Sequence, residues 1–363
     1  MRVLIDIGHP AHVHYFRNLT SDLVGKGNEV LFTTRDKEVT LDLLIHHNLN
    51  FINFGKPYKG TLGKMMGLGA FNTRLLAVAI KYKPDIFLSA GSMYAAQVAW
   101  LLRKPHITIE DTYNIEQVRL YRPFTRAILT GDYFHPEMGK REIRYSGYQE
   151  LAYLHPNQFT PDKSVLEELG VAPDEKYVIL RFVSWEATHD RGHKGMSKEN
   201  KARAVCEFEQ FARVFISSEK PLPSNLDVNR IKIHPARMHD AIAFASLLFG
   251  ESSTMASEAA ALGTPSIYLN DNSTYYTRDE EGKYELVSNY SESPEDQEKA
   301  IRKGCNLLKV PGLKDEWRRR RDIMLKDKID VTAFLVWFVE TYPESARTMR
   351  ENPDYQYNFK QMG

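Results

Sequence analysis

The stretch Leu247-Leu248-Phe249-Gly250-Glu251-Ser252-Ser253-Thr254-Met255-Ala256-Ser257-Glu258-Ala259-Ala260-Ala261-Leu262-Gly263-Thr264-Pro265 decides how this chain is read. An apolar run ending in glycine, three hydroxyl residues and an alanine-rich segment closed by Gly263 and Pro265 predict strand, tight loop and helix. Such a loop offers backbone N–H groups at the positive end of a helix dipole, which suits an anion. Ser252, Ser253 and Thr254 add hydroxyl donors for phosphate, and Glu258, one turn into the helix, is placed to accept two hydroxyls of a ribose. The same letters fit an N-capped helix whose hydroxyls only satisfy orphan amides, so the surrounding sequence has to decide.

Outward from that stretch, the second half of the chain alternates strand and helix. Tyr177 to Val183 reads as a buried strand bearing Arg181, followed by a charged loop with His189 and Asp190. A helix over 199–212, strands over 214–217 and 231–233 and a helix over 238–245 lead into the quoted stretch, with 265–269 as the final strand. Helices then fill 294–308, 313–326 and 331–340.

The first half keeps the same rhythm. Arg2 to Gly8 is a strand, His9, His12 and His14 occupy the next turn, and a helix to Lys26 leads to a strand over 29–34, a βαβ unit. Further strands are expected at 51–54, 85–89, 106–109 and 127–130, and the third of these runs out at Glu110 and Asp111. Histidines and carboxylates after such strands lie where open α/β sheets place ligands. Segment 55–71, with its glycines and Lys56, Lys59 and Lys64, reads first as an ordinary mobile loop, and its basic, apolar character also suits one that receives substrate or rests on anionic lipid. Segment 145–175 loosens around Pro156, Pro161 and Pro173. The expected fold is α/β, with two doubly wound Rossmann-type domains facing across a cleft. They are placed at 1–147 and 177–363, with a hinge at 148–176 and the last helices crossing back to the first domain.

Composition narrows the class. At 363 residues two domains are expected, and 42% hydrophobic with 26% charged residues is a globular balance. A net charge of +1 gives no reason to expect nucleic acid. The basic run Arg318 to Arg321 is flanked by Asp315, Glu316 and Asp322 and reads as a solvated helix face. Cys206 and Cys305 lack CxxC spacing, which argues for a reducing compartment and against a zinc site. No secretory signal opens the sequence and no run approaches the ~20 apolar residues of a spanning helix. A cytoplasmic protein touching the inner membrane face only peripherally is the expectation.

Ser257 to Pro265 resembles the donor-site helix of GT-B glycosyltransferases, notably the N-acetylglucosaminyltransferase of cell-wall synthesis, and the matching segment of the non-hydrolysing UDP-N-acetylglucosamine 2-epimerases. The resemblance implies that Glu258 holds the nucleotide ribose and that Ser252-Ser253-Thr254 meets the diphosphate. His12 with Gly27 is similar to the transferase's first turn, and Arg181 to the basic residue that meets the nucleotide in the epimerases. Across its length the chain resembles domain-of-unknown-function family 354, a group of GT-B-like proteins. The shared patterns are Gly-His-Pro-Ala-His at 8–12, Gly-Tyr-x-Glu-Leu-Ala-Tyr-Leu at 147–154 and Glu-Ser-x-Thr-Met-x-x-Glu at 251–258. Two departures count against epimerisation. Ser253 and Thr254 replace the epimerase loop glycines, and Gly91-Ser92 stands where the epimerases carry Gly-Asp-Thr.

The resulting expectation is a metal-independent glycosyltransferase that takes a nucleotide sugar, UDP-linked, as substrate and uses no cofactor, in the synthesis of a cell-surface glycan. Its partners are the donor and a glycan or lipid-linked acceptor. Sugar transfer needs donors for the departing diphosphate and a base for the acceptor hydroxyl. His12 leads as base because imidazole titrates near neutrality, with His14 and Asp111 behind it. Arg181, His189 and Asp190 are expected at the nucleotide sugar, and Glu219 and His234 are weaker candidates. Two alternatives stay open: a UDP-sugar 2-epimerase or hydrolase using Glu110, Asp111 and His189, and a non-catalytic nucleotide-sugar-binding partner subunit.

Overall fold

Strand β1 (Arg2–Asp6) is rich in branched aliphatic residues and buried beyond its first residue, which places it at the centre of a sheet with both faces covered. The computed structural model describes residues 1–37, 39–56, 58, 61–183, 195–218, 220–271 and 274–360. The chain divides into two compact units, Met1–Gln158 with Lys328–Gly363, and Phe159–Asp327.

Unit 1 continues with α1 (Pro10–Gly25), β2 (Glu29–Thr34), α2 (Thr40–His46), β3 (Phe51–Asn53) and α3 (Thr61–Tyr82). It goes on through β4 (Ile86–Ala90), α4 (Met93–Leu101), β5 (His106–Glu110), α5 (Ile115–Tyr121), β6 (Ala127–Gly131), β7 (Glu142–Tyr145) and α6 (Leu151–Leu154). The described strands pair in the order β3-β2-β1-β4-β5-β6-β7, every pair parallel. The order reverses between β1 and β4, which opens a crevice at their carboxyl ends.

Unit 2 contains α7 (Val165–Leu169), β8 (Tyr177–Phe182), α8 (Lys198–Phe208), β9 (Arg213–Ser218), α9 (Met238–Phe244) and β10 (Leu247–Gly250). It closes with α10 (Ser253–Leu262), β11 (Ser266–Leu269), α11 (Tyr275–Tyr284), β12 (Val287–Tyr290), α12 (Pro294–Leu308) and α13 (Leu313–Asp327). Its sheet is parallel in the order β12-β11-β10-β8-β9, with its reversal between β8 and β10. Helices α14 (Val331–Glu340) and α15 (Glu344–Glu351) belong to unit 1. There Lys328 Nζ lies 2.7 Å from Asp132, Gln356 accepts the Ser146 amide at 2.6 Å, and Thr332 donates to the Ala152 carbonyl at 2.5 Å.

Several expectations need correction. The segment expected as a hinge at 148–176 is divided: Tyr148 to Leu154 is buried in unit 1, and the units part after Gln158. The glycine-rich stretch expected as a mobile loop is helical from Thr61 on. Gly67 is what permits this, because a Cβ there would come within 2.9 Å of the Tyr58 ring. No strand forms over Ile231 to Ile233, only a single bridge between Ile216 and Arg230, because 3₁₀ turns at Asp227–Asn229 and Pro235–Arg237 leave no length for one. Two edge strands were not anticipated, β7 and β12. Each has only four residues, too few for alternation to stand out. The run Arg318 to Arg321 pairs with Asp315, Glu316, Glu285 and Asp322, as expected of a solvated helix face. Among the described residues no helix is long and apolar enough to cross a membrane.

Candidate functional site

In unit 2 the loop between β10 and α10 lies at the sheet reversal. Gly250 allows the chain to turn there, since its φ is +154° and a Cβ would sit 2.0 Å from the Arg181 carbonyl oxygen. Ser252 caps α10, its hydroxyl accepting the Met255 amide at 3.3 Å. The amides of Ser253 and Thr254 follow in the first turn, where no intrahelical acceptor exists. Ser253 Oγ accepts the Tyr276 hydroxyl at 2.8 Å. Thr254 is half-buried beside them.

Glu258, one turn on, is buried and lies 2.9 Å from His239 Nε2 on α9. The edge of Phe159 packs on that imidazole at 6.2 Å between ring centroids. Arg181, at the end of β8, reaches Ser217 Oγ at 3.1 Å. His234 caps a 3₁₀ turn by accepting the Ala236 amide at 3.2 Å, a structural role. His189, Asp190 and Glu219 lie outside the described residues.

Glu251, which the sequence placed in a shared pattern without a role, organises the loop. Its carboxylate accepts the Val183 amide at 2.8 Å and the Met196 amide at 2.7 Å, and pairs with Lys201 at 3.0 Å, both side chains being buried. The two chain ends that flank 184–194 are thereby caught by one side chain. Gly195 is fixed alongside by Glu292 at 2.9 Å. Burial lowers the pKa of Lys201, and Glu251 opposes that shift.

In unit 1 a second group forms where β1, β4 and β5 end. Asp6, fully buried, accepts Arg35 Nη1 at 2.8 and 2.9 Å, Thr33 Oγ1 at 2.7 Å and Ser92 Oγ at 2.5 Å. Ser92 also caps α4 through the Ala95 amide. Ser92 is therefore engaged by the scaffold. His9 is the N-cap of α1. His12 Nδ1 accepts the Gly8 amide at 3.3 Å, which leaves the ring proton on Nε2. Burial, aided by His9 and Arg35, pushes the pKa of His12 down to about 3.

The His12 ring stacks on Tyr15 at 5.8 Å, and the Tyr15 hydroxyl donates to Asp111 at 3.4 Å. Burial and the neighbouring Glu110 raise the pKa of Asp111 to about 7. Glu110 is an organiser of this loop: one oxygen accepts the amides of Asp111, Thr112 and Tyr113 at 3.2, 3.1 and 3.0 Å, and the other accepts the Tyr121 hydroxyl. His14 is buried on another face of α1, stacked on Tyr153 at 5.4 Å with His47 edge-on at 6.1 Å. The structure thus brings His12, Tyr15 and Asp111 together and gives His14 a packing environment. Neutral His12, with its Nδ1 occupied, is poorly set to take a proton, whereas Asp111 titrates near neutrality. Among the described residues no group of three or more His, Cys, Asp or Glu side chains is arranged to hold a metal ion.

The family model described as "Protein of unknown function (DUF354)" matches residues 1–277. The chain belongs to the DUF354 family. A relative by sequence, the uncharacterized protein MJ0665 of Methanocaldococcus jannaschii, is 25% identical over 277 residues, covering 73% of this chain and 80% of its own length. Solved structures with a similar fold include the UDP-GlcNAc 2-epimerase of Neisseria meningitidis bound to UDP-GlcNAc, at a TM-score of 0.63 and 15% identity, covering 90% of this chain and 98% of that one. S. aureus MnaA with UDP superposes at 0.68 and 13% identity over 95% and 97% of the two chains. The spinosyn forosaminyltransferase SpnP superposes at 0.60 and 14% identity over 90% and 95%. At such identities the likeness establishes the fold: this DUF354 protein has the two-unit, parallel-sheet α/β architecture of GT-B type.

Proposed function

We propose that this protein is a glycosyltransferase that takes a UDP-linked sugar as donor. One observation carries the reading: Glu258 is a buried carboxylate one turn below the hydroxyl-lined start of α10, at the reversal point of the unit 2 sheet. In this reading Glu258 accepts the ribose hydroxyls, with His239 fixing its orientation. The first-turn amides of α10, with Ser252, Ser253 and Thr254, receive the diphosphate, and Arg181 supplies positive charge.

The acceptor oxygen forms a bond to the anomeric carbon as the bond from that carbon to the diphosphate breaks. In this reading the acceptor proton passes to the Asp111 carboxylate, acting as general base. Negative charge grows on the nucleotide, where donors from this chain meet it without a metal ion. Asp111 suits the task because its pKa of about 7 leaves it partly ionised at neutral pH and still basic enough to accept a proton. Epimerisation is the weaker reading, since Ser92 is engaged by Asp6 and the α4 cap.

Incubation with UDP-, GDP-, CMP- and dTDP-sugars, with and without glycan acceptors, tests this. Release of UDP that depends on an acceptor supports transfer. Accumulation of a 2-epimer, or no turnover of any nucleotide sugar, removes the proposal.

A further inference from the structure

The opposite edge of the unit 1 sheet carries a surface that this reading does not use. Helices α4 and α5 start near the carboxyl ends of the strands and run back to the amino ends, where β5 and β6 begin. At that edge Trp100 and Leu101 are each 58% exposed, and Leu120 is also exposed. Trp100 and Leu101 are adjacent at the end of α4, and two contacts tie that end of α4 to α5 and the turn after it. Trp100 meets the Phe124 ring edge-on at 5.5 Å, and Gln97 ties α4 to α5 by donating to the Leu120 carbonyl at 3.2 Å.

Arginines surround these residues. Arg103 directly follows the end of α4, its amide bonded to the Trp100 carbonyl, while Arg119, Arg122 and Arg126 flank Leu120 and Phe124 in sequence; all four are exposed. Among the described residues none of the four has an ion pair, although most surface arginines of unit 2 have one. Arg141 lies in the same region, donating to the carbonyls of Arg122, Pro123 and Thr125.

We propose that this edge of unit 1 docks on an anionic lipid surface. Trp and Leu would enter the headgroup boundary and the arginines would meet lipid phosphates. Charge selects this occupant. A two-fold contact with a second copy would set these arginines against themselves. Exposed Trp and Leu side by side are the apolar component that a purely electrostatic, phosphate-tracking surface does not need. The inference is independent of the donor assignment, because the residues lie at the end of the strands opposite Asp6 and Asp111.

Co-sedimentation tests it, using vesicles of phosphatidylcholine alone and of phosphatidylcholine with phosphatidylglycerol in about equal parts. The chain is expected to bind the anionic vesicles only, and less as salt rises. Two variants, Trp100→Ser with Leu101→Gln, and Arg119→Glu with Arg122→Glu and Arg126→Glu, should each weaken binding by about tenfold or more. Their melting temperatures report folding, and Arg→Gln at the same positions serves if reversal unfolds the chain. Absence of binding, binding that neither variant weakens, equal and equally arginine-dependent binding of single-stranded RNA, or a lipid-free dimer that the variants split would each overturn the proposal.

Discussion

Glu258 and His239 form a buried pair, so a test of the ribose role has to separate binding from folding. Glu258→Gln keeps the size of the side chain and a hydrogen-bonding oxygen but removes the charge. We expect UDP to raise the melting temperature of the parent chain and to shift Glu258→Gln far less, with Glu258→Ala showing no shift. An unchanged UDP response in both variants would reject the assignment. Asp111→Asn is expected to slow transfer by about 10²–10⁴-fold, and the parent rate should climb with pH through about 7. The stability effect has the opposite sense. The carboxyl binds its proton more tightly in the fold, at about 7 against an ordinary 3.8, so it opposes folding above pH 7 and ceases to below pH 3.8. Asp111→Asn should therefore melt about 3–6 °C higher at pH 8, with the gain gone near pH 4. Asp111 was legible in the sequence because it directly follows an apolar strand, and Glu258 because it stands one turn into the helix announced by an apolar strand and a hydroxyl-rich turn. His239, Tyr15 and Arg35 were not, because what they touch is distant in sequence and only the fold brings it close.

Strand β5 illustrates how an element carries pH dependence. His106 is buried between Ser89 Oγ and Thr125 Oγ1, each at 2.9 Å, and burial lowers its pKa to about 3. A histidine that is neutral in the fold and protonated when unfolded contributes stability above pH 6.5 that is lost as pH falls toward 3. Between those limits each such group steepens the loss by up to about 1.4 kcal/mol per pH unit. His106→Gln should flatten the decline of the urea midpoint between pH 6 and pH 4, as measured by circular dichroism. The loop after β10 makes a second element-scale case. Glu251→Gln removes the carboxylate charge 3.0 Å from the buried Lys201 ammonium and should cost about 3–5 kcal/mol, measured by denaturant titration. Alternation of strand and helix was readable because long central strands are continuously apolar. It failed at the four-residue edge strands β7 and β12, and at α3, where Gly67, part of a glycine pattern that signals a loop, instead makes room for Tyr58.

At the scale of the molecule, the two units differ in how the chain supplies them. Unit 2 is one continuous segment, whereas unit 1 is completed by α14 and α15, whose apolar faces are buried. A chain ending at Asp327 should keep the cooperative melting of unit 2 and its response to UDP, and lose that of unit 1. Differential scanning calorimetry would show one transition removed. Two parallel-sheet units were legible in the sequence, but the boundary was not, because Tyr148 to Leu154 follows a turn that resembles a linker until its side chains are seen to be buried. The interrupted layout of unit 1 also bears on biosynthesis. The nascent chain finishes unit 2 while the first sheet, made earlier, still lacks its closing helices. Until Lys328 and the residues beyond it emerge from the ribosome, chaperones would meet an open apolar face on the oldest part of the polypeptide.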